Sequence, residues 1–437
     1  METTCRRFAT GGGRADPAAR RDTGSGCATM KILVLNGGSS SLKARFWSVG
    51  PESLLADPPQ PQWDARADWG RQPGVAEVRL RTAAGTSTEQ QIRIASPDEV
   101  LEPVLRTLWD GPAKAIGGPA EIDVVGHRIV HGGKAFTETT RIRPNVKAEI
   151  KRLAEFAPEH NLLELESVET AERLLGPDVP QIAVFDTAFH ATLPMAASVY
   201  PGPYSWLADG IRRYGFHGIS HQYVSRRAAE ILGRDLHSLR LVTCHLGNGC
   251  SLAAVRDGRS IDTTMGFTPL EGLMMGARSG SIDPGIVIYL VRNCGYKADQ
   301  LDRILNKESG LKGLSGVSGD MREILAAMDA GNTRAKLAFD VFVHRLCREL
   351  GGMLASLGGL DALVFTAGIG ENCPPVRAAA SQQLGFLGVK LDPGKNALAA
   401  DDGDIAAADS AVRVLMIHTE EDWEIARECH RLMQEQT

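Results

Sequence analysis

Residues 32–35 read Ile-Leu-Val-Leu, an uninterrupted apolar run that ends on Asn36-Gly37-Gly38, the pattern of a strand buried on both faces and closed by a turn. Alternation at 44–49 predicts a returning strand. The Pro-, Trp- and Gly-bearing stretch 50–74 reads as a long surface excursion. Strand patterns follow at 77–81 and 91–94, a helix at 97–108, and a further buried strand at 122–130. Apolar residues recur at helical spacing over 146–153 and 162–174, and 181–185 is again a short strand. Strands alternating with helices predict an α/β domain.

The pattern then restarts. Residues 239–244 form an apolar strand that feeds His245-Leu246-Gly247-Asn248-Gly249-Cys250-Ser251, with a return strand at 252–256. A strand, Gly-polar loop and return strand therefore recur about 210 residues after the first set, which predicts two related halves facing one ligand. A third loop, Thr366-Ala367-Gly368-Ile369-Gly370-Glu371-Asn372, follows the strand 363–365 and opens a helix. A long helix is predicted at 335–357 and a terminal one at 420–433.

With 437 residues the chain exceeds what one hydrophobic core serves, so two domains are expected. A formal charge of −5 provides no broad basic field and argues against nucleic-acid or anionic-membrane partners. Eight cysteines without a Cys-x-x-Cys pair suit thiols in a reducing, cytoplasmic setting better than a disulfide or zinc framework. Residues 1–29 carry five arginines but no continuous apolar stretch, and read as a disordered extension before a domain that begins at Met30. No run of about 18 apolar residues predicts a membrane span.

Gly37 and Gly38 let backbone N–H groups approach an anion; Ser39, Ser40 and Ser41 add hydroxyls and Lys43 a charge. An ordinary hairpin turn is the competing reading, and no Walker sequence is present. Three Gly-polar loops at strand ends are what a nucleotide held between two α/β domains requires. Arg128, in Gly126-His127-Arg128-Ile129-Val130-His131-Gly132-Gly133, and Arg278, in Gly276-Ala277-Arg278-Ser279-Gly280, each place a guanidinium beside glycines. They suit bidentate binding of carboxylate or phosphoryl oxygens, with a structural ion pair as the alternative. His217, beside Phe216 and Gly218, is a candidate donor to a transferring phosphoryl or else a core histidine. Asp186, at a strand end, is a candidate to hold hydrated Mg²⁺ or to orient an arginine, and Glu421, at the start of the last helix, is a second candidate for the ion, with a helix-dipole role as the alternative.

These motifs, with Val184-Phe185-Asp186-Thr187-Ala188-Phe189-His190, Tyr214–His221, Met265–Gly272, Ser315–Ser318 with Asp320-Met321-Arg322, and Phe365–Asn372, run in order from Met30 to about Arg427. The chain resembles the acetate kinase family of the actin and sugar-kinase superfamily. The resemblance implies an α/β chain of two related domains of the actin-like ATPase (ribonuclease H-like) fold with a cleft between them. The domains would be 30–185 with 422–437, and 186–421. It implies reversible phosphoryl transfer between ATP and acetate, giving ADP and acetyl phosphate. Mg²⁺ would serve, with Mn²⁺ as a substitute, in a homodimer formed through the C-terminal domain. Asn36, Ser39, Ser41 and Lys43 would line the first phosphate loop, and His245, Leu246, Gly247, Asn248 and Gly249 the second. Arg128 and Arg278 would hold the carboxylate and the phosphoryl in flight, with His217 and His160 donating to it. Asp320, Met321 and Arg322, with Gly368, Ile369, Gly370 and Asn372, would surround adenosine. Asn36 and Glu421 would stand at the metal, Asp186 would assist the metal and the arginines, and Val130, Phe216 and Pro269 would form the pocket for the acetate methyl.

The chemistry fits these residue types. A carboxylate is already a nucleophile at neutral pH, so no general base is needed; the site must align two anions and neutralise charge on the transferring phosphoryl. Direct in-line transfer is the expected mechanism, with a phosphorylated carboxylate on Asp186 or another acid as the rival. Glu159 stands where the family carries a pocket leucine, so Glu159 points to solvent with Leu162 or Leu163 filling the gap, or the acyl preference changes. The segment Glu420-Glu421-Asp422 also departs from the family pattern, so the metal residue among the three rests on register. A propionate or other short-chain acyl kinase is the near alternative. A non-catalytic nucleotide-binding regulator of the same fold is the distant one, disfavoured by the presence of Arg128, Arg278 and His217.

Overall fold

The computed structural model describes residues 29–38, 41–50, 57–72, 74–155 and 158–435; the expected extension lies outside them but for Thr29. Eight strands build the first sheet: β1 Met30–Gly37, β2 Ser41–Val49, β3 Trp63–Gln72, β4 Val75–Thr82, β5 Ser87–Arg93, β6 Val124–Ile129, β7 Thr140–Arg141 and β8 Gln181–Phe185. Six build the second: β9 Arg240–Leu246, β10 Cys250–Arg256, β11 Arg259–Thr263, β12 Ala362–Thr366, β13 Gly403–Asp404 and β14 Arg413–Met416. The orders are β5-β4-β3-β2-β1-β6-β8-β7 and β11-β10-β9-β12-β14-β13.

The repeat expected from the two strand-loop-strand segments is visible in this order. In each sheet three antiparallel strands, β3-β2-β1 or β11-β10-β9, are extended by two parallel ones, β6-β8 or β12-β14, and then by a short antiparallel edge strand. β4 and β5 are additions to the first sheet alone. Within the excursion expected over 50–74, Trp63–Gln72 is not a surface insertion but the strand β3, along which Trp63, Ala65 and Ala67 alternate inward and are buried. Asp64, Arg66 and Asp68 between them gave the segment a polar look. The alternation, which buries one face of an antiparallel strand, was the overriding signal.

Each sheet uses its two faces differently. Leu33 and Leu35 of β1 point into a core with β2–β5 and the helix Leu101–Arg106, while Ile32 and Val34 point the other way. In the second sheet Val242 and Leu246 face the 25-residue helix Thr333–Leu357, and Leu241 faces the opposite side. Those opposite sides share one core, filled by the helices Gly218–Leu232 and Glu421–Glu435. The two helices are tied by Arg226 and Gln222 to Glu424, with Gln222 Nε2 donating at 2.9 Å. Gly126 of β6 permits this layer: a Cβ there would stand 2.6 Å from Cys429 Sγ and 2.7 Å from Ile425 Cγ2. Both helices begin at the cleft-side ends of the strands, which brings their N-termini to the loops after β1 and β9.

Candidate active site

β1 and β2 form a tight hairpin, closed by Gly38 N donating to Ser41 O at 2.7 Å. Ser39 lies outside the described residues. Asn36 closes β1, and its Nδ2 donates to Asp422 Oδ1 at 2.6 Å. This contact distinguishes the three acids at 420–422. Glu420 accepts from Arg45 at 2.8 Å, Asp422 is held by Asn36 and Arg45, and the charge of Glu421 bears on Arg128, Asp186 and His245. Glu421 is thus the acid turned to the cleft. Lys43 is exposed and acts on Glu420 and His245 only through its charge.

Arg128 leaves β6 beside β8 and pairs with Asp186, Nη2 to Oδ2 at 2.5 Å; its Nη1 reaches the Gly37 carbonyl at 3.4 Å. Asp186 is fully buried, and its second oxygen, Oδ1, has no hydrogen-bond partner. Burial pushes its carboxyl up and Arg128 pulls it down. A third acid, Glu164 on the helix Pro158–Leu175, was missed in the sequence. Its Oε2 accepts from Val130 N at 2.9 Å, its Oε1 has no partner, and burial pushes its carboxyl up to about 8 against the pull of Arg128. On the same helix, Asn161 Oδ1 accepts from His131 N at 3.2 Å and its Nδ2 donates to His131 O at 3.2 Å. Helical spacing of Asn161 and Glu164 was the available signal.

Glu164 carries a pH consequence. Below its ordinary value of 4.5 the group is neutral whether the chain is folded or not. Between 4.5 and about 8 the unfolded chain releases a proton that the folded chain keeps, so stability falls as pH rises through that window and is level above it. Glu164→Gln removes this dependence. The melting temperature of the variant minus that of the parent should increase from pH 5 to pH 8; a constant difference would show Glu164 ionised throughout.

Val130 and Phe216 are buried and share a core; His131 packs edge-on against Phe216, ring centroids 5.5 Å apart. Pro269 presents its carbonyl to Arg278 Nη1 at 3.1 Å. Leu162 is 42% exposed, and Leu163 lines a small space with Gly37 and Leu42. The side chains of Glu159 and His160 lie outside the described residues.

His217 caps the helix Gly218–Leu232 in the left-handed conformation, φ 58°. Ala367, after β12, is similarly left-handed at φ 64°, so two of the three described non-glycine residues of positive φ flank the cleft. Such residues cost about 1–3 kcal/mol each and persist where packing enforces them. His217 stacks on His245 with centroids 4.0 Å apart. Gly249 lies against both His217 and Arg278: a Cβ there would stand 3.2 Å from His217 Nε2 and 3.4 Å from Arg278 Nη1. Burial, then the neighbouring His245, His221, Arg128 and Arg278, hold His217 well below the usual histidine range. Burial also lowers His245, to about 4. Both rings are therefore neutral at pH 7.

A cavity of 590 Å³ opens beside the second loop, lined by Gly247, Asn248, Asp320, Met321, Arg322, Gly368, Ile369 and Asn372 among others. Eight residues expected around a nucleotide thus share one space. Leu246 and Gly370 are buried outside its lining. Asp320 caps the helix Met321–Asp329 and pairs with Arg322 at 2.5 Å. Glu371 fixes the far wall, its Oε1 accepting from Ala367 N at 2.8 Å and Thr419 N at 2.9 Å. A larger cavity of 770 Å³, at the β10–β11 turn, contains none of these residues.

Among the described residues no three His, Cys, Asp or Glu gather into a metal cage. The donor set matches an ion carried largely by phosphate oxygens: Glu421 faces the cleft and Asn36, donating through Nδ2, leaves Oδ1 for a cation, with the buried Asp186 carboxylate adding its charge from behind Arg128. Arg128, Arg278 and His217 thus gather donors suited to anionic oxygens beside the second loop.

Comparison with known proteins agrees with this geometry. Residues 31–427 match the model of the Acetokinase family. Acetate kinase of Gloeobacter violaceus is 60% identical over 400 residues, covering 92% of this chain and 98% of that protein. The crystal structure of Porphyromonas gingivalis acetate kinase superposes with a TM-score of 0.84 at 38% identity, covering 92% of this chain and all of the other. A propionate kinase from Francisella tularensis gives 0.82 at 37% identity, over 91% and 98% of the two chains. Two α/β domains with related sheets, the actin-like ATPase and sugar-kinase architecture, and a match over nearly the whole length lead to one conclusion: the chain belongs to the acetokinase family.

Proposed function

We propose that the protein transfers a phosphoryl group reversibly between ATP and acetate, with Mg²⁺ and directly in line, giving ADP and acetyl phosphate. The observation that carries this reading is that His217 and Arg278 both stand against Gly249 of the second loop, with the charge of Arg128 bearing on the same imidazole, next to the cavity that Gly247 and Asn248 line. Arg128, oriented by Asp186, would grip the acetate carboxylate, with Val130, Phe216 and Pro269 around its methyl. Arg278 and neutral His217 would donate to the phosphoryl oxygens as they pass between donor and acceptor. Backbone N–H groups of the two loops would hold the phosphates, and the 590 Å³ cavity the adenosine. Asn36 and Glu421, with Asp186 nearby, would hold Mg²⁺, which supplies charge neutralisation on the phosphates.

The sheet memberships support domains of 30–185 with 422–437 and of 186–421, since the terminal helix packs on β1 and β6. A homodimer through the second domain is supported by the helix Pro284–Cys294, which exposes Ile286, Ile288, Tyr289 and Val291 together. The six described cysteines are all free thiols, in keeping with a cytoplasmic setting.

Similar superposition on an acetate and a propionate kinase keeps the longer acid in view. Steady-state kinetics with acetate, propionate and butyrate, trapping acyl phosphate with hydroxylamine, tests the reading. Acetate should give the highest kcat/KM, and one extra methylene should change it by about 10- to 200-fold. Preference for propionate would move the assignment within the family, and no trapped product with any acid would refute it.

A further inference from the structure

Beneath the first turn of the helix Gly218–Leu232 lies a chain of polar side chains that the reaction as described does not use. His217 Nδ1 lies 2.9 Å from Ser251 Oγ, Ser251 Oγ lies 2.8 Å from His221 Nε2, and His221 Nδ1 lies 2.7 Å from Thr243 Oγ1. Ser251, His221 and Thr243 are fully buried. The placement follows from the strands: Thr243 on β9 and Ser251 on β10 share the sheet face that the helix covers, and His221 follows His217 by one turn. Four polar groups are thus linked from the cleft into an otherwise apolar layer.

Such a chain has a direction. Each hydroxyl has one proton to donate, and each neutral imidazole has one N–H. Burial and the surrounding histidines hold His221, like His217, well below the usual histidine range, so neither ring carries two protons at pH 7. Ser251 Oγ is buried with these two imidazoles as its partners among the described residues, so an order in which both donate to it would strand its own proton; two orders remain. In the outward order Thr243 donates to His221 Nδ1, His221 Nε2–H to Ser251, and Ser251 to His217 Nδ1, leaving Nε2–H at the cleft. In the inward order every bond reverses, His217 presents a bare Nε2, and the Thr243 proton must turn to the Ala253 carbonyl, 3.5 Å away. Both orders keep the three bonds of 2.7–2.9 Å and differ at the buried end, where the inward order leaves the Thr243 proton only an acceptor 3.5 Å away while the outward order ends its donors at the cleft; the outward order is therefore favoured.

We propose that Thr243, His221 and Ser251 form a one-directional hydrogen-bond relay that fixes His217 in its Nε2–H tautomer toward Gly249 and Arg278. They are positioning residues: none faces the cleft, and each acts by deciding which nitrogen of His217 holds the proton. The catalytic consequence rests on the reading of His217 as donor to the phosphoryl, because a bare Nε2 would repel the oxygens that it has to stabilise. The tautomer itself does not depend on that reading.

Nitrogen-15 NMR of the full-length protein labelled at histidine, assigned with His217→Gln and His221→Gln, reads the proton positions directly. Both rings should be Nε2–H tautomers; His217 as Nδ1–H overturns the relay whatever the activity. Thr243→Val, nearly isosteric but without the donor, should shift His217 toward Nδ1–H. It should lower kcat about tenfold to a hundredfold, with KM for ATP and acetate within about twofold. Thr243→Ser restores the hydroxyl and should restore both readouts, and Ser251→Ala should lower kcat similarly. Unchanged kcat in Thr243→Val, or a fully folded Thr243→Ser that fails to recover it, overturns the proposal. Should Thr243→Val fail to fold, the parent spectrum and the Ser251→Ala kinetics decide. Absence of acyl phosphate with the parent protein and every acid, with both rings Nε2–H, refutes the phosphotransfer reading and leaves the relay standing.

Discussion

Arg278→Ala should lower turnover by about two to three orders of magnitude while the protein stays folded, the effect of removing one preorganised donor from a charge-developing site. Arg278 is not part of the apolar cores; its Nη1 is spent on the Pro269 carbonyl at 3.1 Å, and the guanidinium stands over Gly249 beside His217. That geometry matters most when charge spreads over the transferring phosphoryl, so the loss should fall on kcat more than on KM. Arg278→Lys should recover little, because an ammonium keeps the charge but loses the planar fork that can engage Pro269 and a phosphoryl oxygen together. Steady-state kinetics alongside thermal melting checks both halves. Near-normal kcat/KM in a folded Arg278→Ala protein would remove Arg278 from the site.

The sequence was most legible where one periodicity dominated. Ile32–Leu35 and Leu363–Phe365 are continuous apolar runs, and Leu241–Leu246 a run broken only by Thr243 and His245, because both sheets are covered on both faces; each was located to within a few residues. β3 escaped because its buried positions are Trp63 and two small alanines separated by charges, a weak apolar signal until the neighbouring strands are in place. The loops at the strand ends were legible as Gly-polar turns, and the relation between the halves followed from their repetition. What could not be read was selection among like residues. Glu421 differs from Glu420 and Asp422 only because Arg45 and Asn36 engage the other two. Glu164 and Thr243 are unremarkable in a helix and a strand, and become informative only when burial forces each of their polar atoms to be accounted for.

Asp186 is where stability and chemistry meet, and its replacement should have the second largest effect. Asp186→Asn keeps the shape but leaves Arg128 with no directly paired carboxylate, in surroundings where Glu421 is the more distant charge that remains and Glu164 is protonated. Breaking a buried ion pair by removing one partner costs about 3–5 kcal/mol, so the melting temperature should drop clearly. Turnover should fall by about 100-fold or more, because Arg128 loses the bond that aims it at the substrate carboxylate. The same burial bears on the rival mechanism. For Asp186 to become a phosphoryl-enzyme its carboxylate would have to reach phosphorus, yet Oδ2 is held by Arg128 at 2.5 Å and Oδ1 is shielded from solvent. Acetate itself, a competent nucleophile at neutral pH, has no need of that intermediate. Transfer from ATP chiral at the γ-phosphorus should therefore proceed with inversion. Retention would require two displacements and an acid able to approach the phosphorus, and would overturn the direct in-line pathway along with the positioning role of Asp186.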